Sequence, residues 1–283
     1  MSTTTATATS TTTTRPWTFT GKQPDYTTAQ LHSKDGKRVS NFEEEPHQAK
    51  IHNIRTTTDP IGIDVTGFDV RTIPSAFSQD YRNFENDEKI KSEYYPEVIA
   101  ALKEATGGRE VFVFDHTIRR RAPGIADDDP SKRQPVALVH IDQTPLAAEK
   151  RVVRHLGDRA DELLKKRYQL INVWRPIQHS AEDHPLAVAS YTSIDAKRDL
   201  IPTKLVYPAP TPAGETYNVS YNPTHKFYYV KAQTPEEVTF IKCFDSDGTV
   251  ARLTPHTAFT DPNTDPAAPL RQSIEVRCLV FHD

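Results

Sequence analysis

The sequence predicts a mainly β protein, a sandwich or barrel with helices packed on its outside. Three observations carry this. Residues 168–283 hold five or six short strand-like runs separated by Pro, Asn, Asp and Gly, and such turn-punctuated strands are the pattern of sandwiches and barrels. Only two stretches, 86–106 and 145–166, show a helical period. Pro is frequent, at 22, and Gly scarce, at 10, as rigid connections between short elements require.

The first fourteen residues include nine Thr and nothing that could anchor a core, so 1–14 is expected to be a disordered tail and 15–283 a single domain. They lack the basic start and apolar stretch of a signal peptide. Residues 15–80 read as irregular, with 61–65 (IGIDV) alternating as a half-buried strand does. Across 86–106, Tyr94, Tyr95, Val98, Ile99 and Leu102 fall on one helical stripe, which Gly107 and Gly108 end. Residues 111–114 (VFVF) form a strand, 119–135 a charged, proline-containing loop, and 136–142 (VALVHID) another strand. In the second helix Val152, Val153, Leu156, Leu163 and Leu164 form the apolar stripe. The later strands fall at 170–173, 186–190, 227–230, 238–244 and 273–281, without internal repeat.

Composition narrows the function. The 283 residues carry 35 basic and 38 acidic side chains, a net charge of −3. That balance argues against nucleic acid as a partner and gives no polybasic handle for a membrane. No apolar run approaches the ~18 residues of a spanning helix. Cys243 and Cys278 are too few for a disulfide scaffold, which points to a reducing compartment, the cytoplasm. A small-molecule substrate is expected; the sequence does not give an oligomeric state.

The chemistry concentrates in VHIDQTP (139–145). Residues i and i+2 of a strand share a face, so His140 and Asp142 project together while Ile141 turns into packing. An imidazole and a carboxylate on a rigid strand are two of the three ligands of a facial triad, which holds Fe(II) and leaves coordination positions open. The third ligand is expected to be a His on a later strand. His256 is the candidate, 114 residues beyond Asp142, with His116 and His225 as competitors and His155, His179 and His184 expected on the surface. A cation for a dicarboxylic co-substrate is expected on the next strand, RQSIEVR (271–277). There Arg271 and Ser273 share a face, with Arg277 further along it. A guanidinium grips a carboxylate through two hydrogen bonds, and a neighbouring hydroxyl adds another.

The order of these motifs resembles the fungal hydroxylase/desaturase family of non-heme iron, 2-oxoglutarate-dependent oxygenases, which includes gibberellin-desaturase-like proteins. The resemblance is carried by FVFDHTIRRR (ending at 121), VHIDQTP (139–145), NVWRPI (172–177), PLAVAS (185–190), KFYYVKAQTPEEVTFIKCFDS (226–246), ARLTPHTAFTDP (251–262) and RQSIEVRCLVF (271–281). It covers roughly 110–283 closely, and weakens back to about 60. It implies a double-stranded β-helix (jelly-roll) core and oxidation of a small secondary metabolite, by hydroxylation or desaturation, with Fe(II), 2-oxoglutarate and O2. It implies His140, Asp142 and His256 as iron ligands and an arginine of the last strand as the 2-oxoglutarate anchor, Arg271 first and Arg277 second. Asn172, Trp174, Arg175 and Tyr229 are weaker candidates for substrate contact. Tyr228 and Lys242 are possible pocket residues, and Asp245 and Ser246 are expected to shape a turn. Two other readings stand beside this one. A zinc hydrolase or isomerase could use the same His/Asp/His set, and a silent binding protein could share the fold. A zinc enzyme has no need of the arginine, and a silent one none of the triad.

Overall fold

The computed structural model describes residues 12–14, 17–18, 29–34, 37–124, 133–207 and 212–283. From Phe68 onward the strands are β1 (Phe68–Thr72), β2 (Glu110–Arg120), β3 (His140–Ile141), β4 (Tyr168–Pro176), β5 (Leu186–Ala189), β6 (Leu200–Val206), β7 (Gly214–Val219), β8 (Phe227–Tyr229), β9 (Glu237–Asp245), β10 (His256–Ala258) and β11 (Gln272–Phe281). One sheet has five strands in the order β1-β9-β4-β11-β2. The other has nine. Its centre runs β6-β7-β3-β10-β5-β8, with Lys37–Ser40 and Ala29–Lys34 at one edge and Ile51–Asn53 at the other. The ladders are antiparallel except those that Ala29–Lys34 and Ile51–Asn53 make with β6 and β8.

Period-two alternation gives the five-stranded sheet two different faces. Ile171, Val173, Ile274, Val276, Cys278 and Val280 pack outward against Tyr94, Val98, Ala101 and Leu102 of the helical segment that precedes the sheet. Burial of each such large apolar side chain contributes roughly 1.5–3 kcal/mol. The inward face carries Leu170, Asn172 and Trp174 from β4 and Ser273, Glu275, Arg277 and Leu279 from β11. It meets the nine-stranded sheet, where Trp174 packs with Val188 and Tyr228.

Several expectations are corrected here. Residues 61–65 form a turn, not a strand. Thr66 Oγ1 hydrogen-bonds both the backbone N–H and the carbonyl of Gly62, and Gly67 takes φ 88°, so the chain reverses before β1 begins. The helix over 86–106 passes through a π-turn, Ile90–Tyr94, before α1 (Tyr95–Thr106), which ends at Gly107 with φ 69°. The second helix is shorter than its apolar stripe. It runs as α2 (Pro145–Leu156) and breaks at Gly157, φ 52°. Strand β2 extends six residues past the VFVF run, through Arg120. The strands β6 and β7 were not anticipated. Of the tail expected over 1–14, residues 1–11 lie outside the described residues, and Thr12–Thr14 pair with His47–Ala49. Residues 125–132 of the expected loop also lie outside them.

Between β2 and β11 the register passes from Arg277↔Asp115 to Cys278↔Val113. Phe114 is therefore an extra residue, a β-bulge. The bulge shifts the alternation by one, so Asp115, Thr117 and Arg119 turn toward the inward face. Asp115 and Thr117 both reach Arg277 there.

Candidate metal centre

The ladder registers of the nine-stranded sheet place Asn218, His140, His256, Val188, Tyr228 and His52 opposite one another in a single row. Directly opposed residues point to the same face. His140 and His256 therefore stand side by side, their ring centroids 4.4 Å apart. Asp142 follows one residue after β3. Ligand atoms of His140, Asp142 and His256 all lie within 4.8 Å of one another, the one such group of His, Cys, Asp or Glu among the described residues.

Hydrogen bonds orient each member. His140 Nδ1 donates to the Leu138 carbonyl at 2.8 Å and His256 Nδ1 to the Thr254 carbonyl at 3.1 Å. With Nδ1 protonated, each neutral ring keeps its lone pair on Nε2. Those Nε2 atoms lie 3.3 and 4.0 Å from Asp142 Oδ1. The other carboxylate oxygen, Oδ2, accepts from Asn172 Nδ2 at 2.7 Å and Arg277 Nε at 3.1 Å. Burial opposes ionisation of Asp142, yet the Arg277 charge together with His140 and His256 outweighs it and holds the carboxyl well below its ordinary range. Burial, reinforced by His140, keeps the His256 imidazole neutral by lowering its pKa. Two imidazole lone pairs and one ionised carboxylate oxygen converge, which is the donor set a divalent iron or zinc ion takes.

Arg277 of β11 and Arg271, which immediately precedes that strand, sit in different surroundings. Arg277 is neutralised by Asp142, Asp115 and Glu275, at 3.1, 3.0 and 2.8 Å. Arg271 is 3% exposed, and among the described residues no carboxylate forms an ion pair with its guanidinium. Its Nε donates to Ser273 Oγ at 3.2 Å and its Nη1 to the His184 carbonyl at 2.7 Å. The guanidinium carbon lies 5.0 Å from the centre of the Trp174 ring. Burial, with the neighbouring Arg119 charge, pulls its pKa down to about 9. It is thus a buried positive charge that no carboxylate among the described residues contacts directly, with Glu275 and Asp183 acting on it only at longer range. One cavity is lined by His140, His256, Trp174, Arg271 and Glu275. A larger cavity, about 340 Å³, lies beside Lys50, His52, Asn222 and His225 and touches none of the three clustered residues.

The remaining candidates separate cleanly. Arg175 faces away from the cluster, and its guanidinium donates to Tyr94 Oη and to the Pro235 and Ile73 carbonyls. Tyr229, one residue out of register with the row, packs edge-on against Phe259. Tyr228 is in the row and hydrogen-bonds Asp59. Lys242 and Asp245 are fully buried partners of each other. Asp245 also takes Arg167, so it ties strands together rather than only shaping a turn. His116 hydrogen-bonds Tyr95, and His225 pairs with Asp199 at 2.9 Å, so neither competitor joins the cluster. His155, expected on the surface, stacks on Phe114. Glu275, Asp115, Thr117 and Asn218 were missed. Glu275 was findable, since period two places it between Ser273 and Arg277 on their face. Asp115 and Thr117 depend on the bulge.

Comparisons with known proteins give the chain's family and fold. Residues 14–281 match the family model described as an oxidoreductase/YMDC permease-like domain. Aspirochlorine biosynthesis protein N of Aspergillus oryzae is 44% identical over 142 residues, 50% of this chain and 59% of that protein. An Fe(II)/2-oxoglutarate-dependent dioxygenase, nvfI of Aspergillus novofumigatus, is 31% identical over 92% of this chain and 94% of its own. A solved structure of the iron and alpha-ketoglutarate-dependent endoperoxidase NvfI superposes with a TM-score of 0.85 at 27% identity, covering 96% of both chains.

Proposed function

The chain belongs to the hydroxylase/desaturase family of non-heme Fe(II)/2-oxoglutarate-dependent oxygenases, and from that premise we propose which of its residues do the work. His140 Nε2, His256 Nε2 and Asp142 Oδ1 hold the iron. Asn172 and Arg277 grip Asp142 Oδ2, so that Oδ1 stays turned to the metal. Arg271, backed by Ser273 and Trp174, pairs with the distal carboxylate of 2-oxoglutarate. Arg277, the second choice from sequence, is already neutralised and serves Asp142 instead.

When bound, iron and 2-oxoglutarate supply the oxidising chemistry, in which decarboxylation of the 2-oxo acid is coupled to dioxygen-driven oxidation of a substrate C–H bond. The protein's share is orientation and exclusion of water. The rings of His140 and His256 are held by backbone carbonyls, so the ligand geometry is set before anything binds. The substrate is a small secondary metabolite, and its oxidation is a hydroxylation or a desaturation. Among the described residues no helix is long and apolar enough to cross a membrane.

The observation that carries this reading is one cavity joining His140 and His256 to a buried arginine that forms no ion pair among the described residues. A zinc hydrolase would leave that charge without purpose. The test is succinate formation by enzyme loaded with Fe(II) or with Zn(II). Succinate that requires both Fe(II) and 2-oxoglutarate supports the reading; turnover with zinc and no succinate overturns it.

A further inference from the structure

Asn218 is 2% exposed, and its Nδ2 is a buried donor with no hydrogen-bond partner among the described residues. A buried amide donor left unpaired costs about 1–3 kcal/mol, so the position is costly unless a ligand completes it. Its place in the fold says which ligand. In the row Asn218–His140–His256–Val188, Asn218 is the direct neighbour of His140, on the side away from His256. Opposed residues in a ladder have Cβ atoms about 4.5–5.5 Å apart, so the amide borders the metal ligands. Arg271 lies on the other side: its Nη1 bonds the His184 carbonyl, two residues before β5, the strand beyond His256. The two buried polar groups thus flank the His/Asp/His cluster from opposite ends.

We propose that Asn218 is a positioning residue whose amide donates to the metal-proximal carboxylate of 2-oxoglutarate, opposite the end that Arg271 holds. This rests on the co-substrate reading above. A 2-oxo diacid tethered by one carboxylate at Arg271 and directed across the cluster presents its other carboxylate toward β7. That group is an acceptor only, and it satisfies a donor that no atom of the described residues meets. Two fixed ends leave the diacid one orientation in the site. The amide was hidden in sequence because GETYNV (214–219) has no strong apolar alternation, and its strand was not anticipated.

The experiment is anaerobic calorimetric titration of 2-oxoglutarate, and separately of pyruvate, into Fe(II)-loaded full-length enzyme. Pyruvate keeps the 2-oxo acid end but lacks the distal carboxylate. Asn218→Leu removes the donor at nearly constant volume. It should weaken 2-oxoglutarate and pyruvate by the same factor, about tenfold, with iron content unchanged. Arg271→Ala should weaken 2-oxoglutarate and leave pyruvate unaffected. Because the leucine removes an unpaired buried donor, the metal-free variant should melt at or above the wild-type temperature. Wild-type affinity in Asn218→Leu overturns the proposal, as does a lowered melting temperature accompanying the affinity loss, which is the mark of a structural role. Should the leucine variant fail to fold, Asn218→Asp keeps the shape and sets a carboxylate against a carboxylate. It should bind both ligands more weakly still, and unchanged binding overturns the proposal. If wild-type enzyme binds neither ligand, it is the co-substrate reading that fails.

Discussion

At the level of single residues, the account turns on what each charge is paired with. Arg277 and Arg271 share a strand face, and the sequence offered both as anchors. They differ in their neighbours, and Asp115 is a neighbour that no reading of the last strand alone reveals. His140 and Asp142 were legible because HxD on a strand projects two ligands to one face. His256 was already preferred to His116 and His225 in the sequence, and the ladder sets it opposite His140. Two expectations follow. His256→Ala should lose most bound iron, whereas His225→Ala, remote from the cluster, should keep it; metal analysis after gel filtration decides. Arg175→Ala should take the donor from buried Tyr94 Oη and from the part-buried Pro235 and Ile73 carbonyls and destabilise the fold by about 1–3 kcal/mol. Its affinity for 2-oxoglutarate should stay at the wild-type value, as urea melts and calorimetry would show; a large affinity loss in a stable variant would return Arg175 to the site.

At the level of elements, the bulge in β2 does the most for the site. If Phe114 held a regular place in the ladder instead of bulging, Asp115, Thr117 and Arg119 would point outward, because a one-residue slip turns every following side chain to the other face. Deleting Phe114 leaves Val113 opposite Cys278 and Asp115 opposite Arg277 in plain alternation, so the deletion should keep both partners of Arg277 and retain iron. Phe114→Leu keeps the bulge and should retain iron as well. A sharp loss of iron confined to the deletion variant would contradict this register. The long strands β4, β9 and β11 were legible from their apolar runs, although β4 spans Tyr168–Pro176 where only 170–173 was expected. The bulge was not, because an insertion leaves no mark in a run such as VFVFDH. The turn over 61–65 misled for a related reason: apolar alternation is also met by a turn closed through a threonine hydroxyl and a positive-φ glycine.

For the whole molecule, two sheets enclose the site, and burial tunes its surroundings. His116, His155 and His282 all have pKa values lowered, chiefly by burial. The unfolded chain protonates histidines near pH 6.5, so below that pH it binds more protons than the fold does. Stability of the metal-free protein should accordingly rise as pH goes from 5.5 to 7.5. Urea midpoints at the two pH values check this, and a midpoint that falls with rising pH would contradict it. Fold class was legible in the spacing of strands and turns, and the family in the order of its motifs. The nine-stranded sheet was less so, since its central strands are two to seven residues long and carry too little pattern to announce themselves.

The central claim is that Arg271, just before β11, and Arg277 within it divide the work, Arg271 for the co-substrate and Arg277 for the metal's carboxylate. It is tested by titrating 2-oxoglutarate into anaerobic Fe(II) enzyme while following the visible metal-to-ligand charge-transfer band and bound iron. Losing one member of a buried charge pair costs on the order of 2–5 kcal/mol. Arg271→Ala should hold wild-type iron and require roughly 30- to 4,000-fold more 2-oxoglutarate to develop the band. Arg277→Ala should instead lose iron. An Arg277→Ala enzyme with full iron and the larger shift in 2-oxoglutarate requirement would contradict the account.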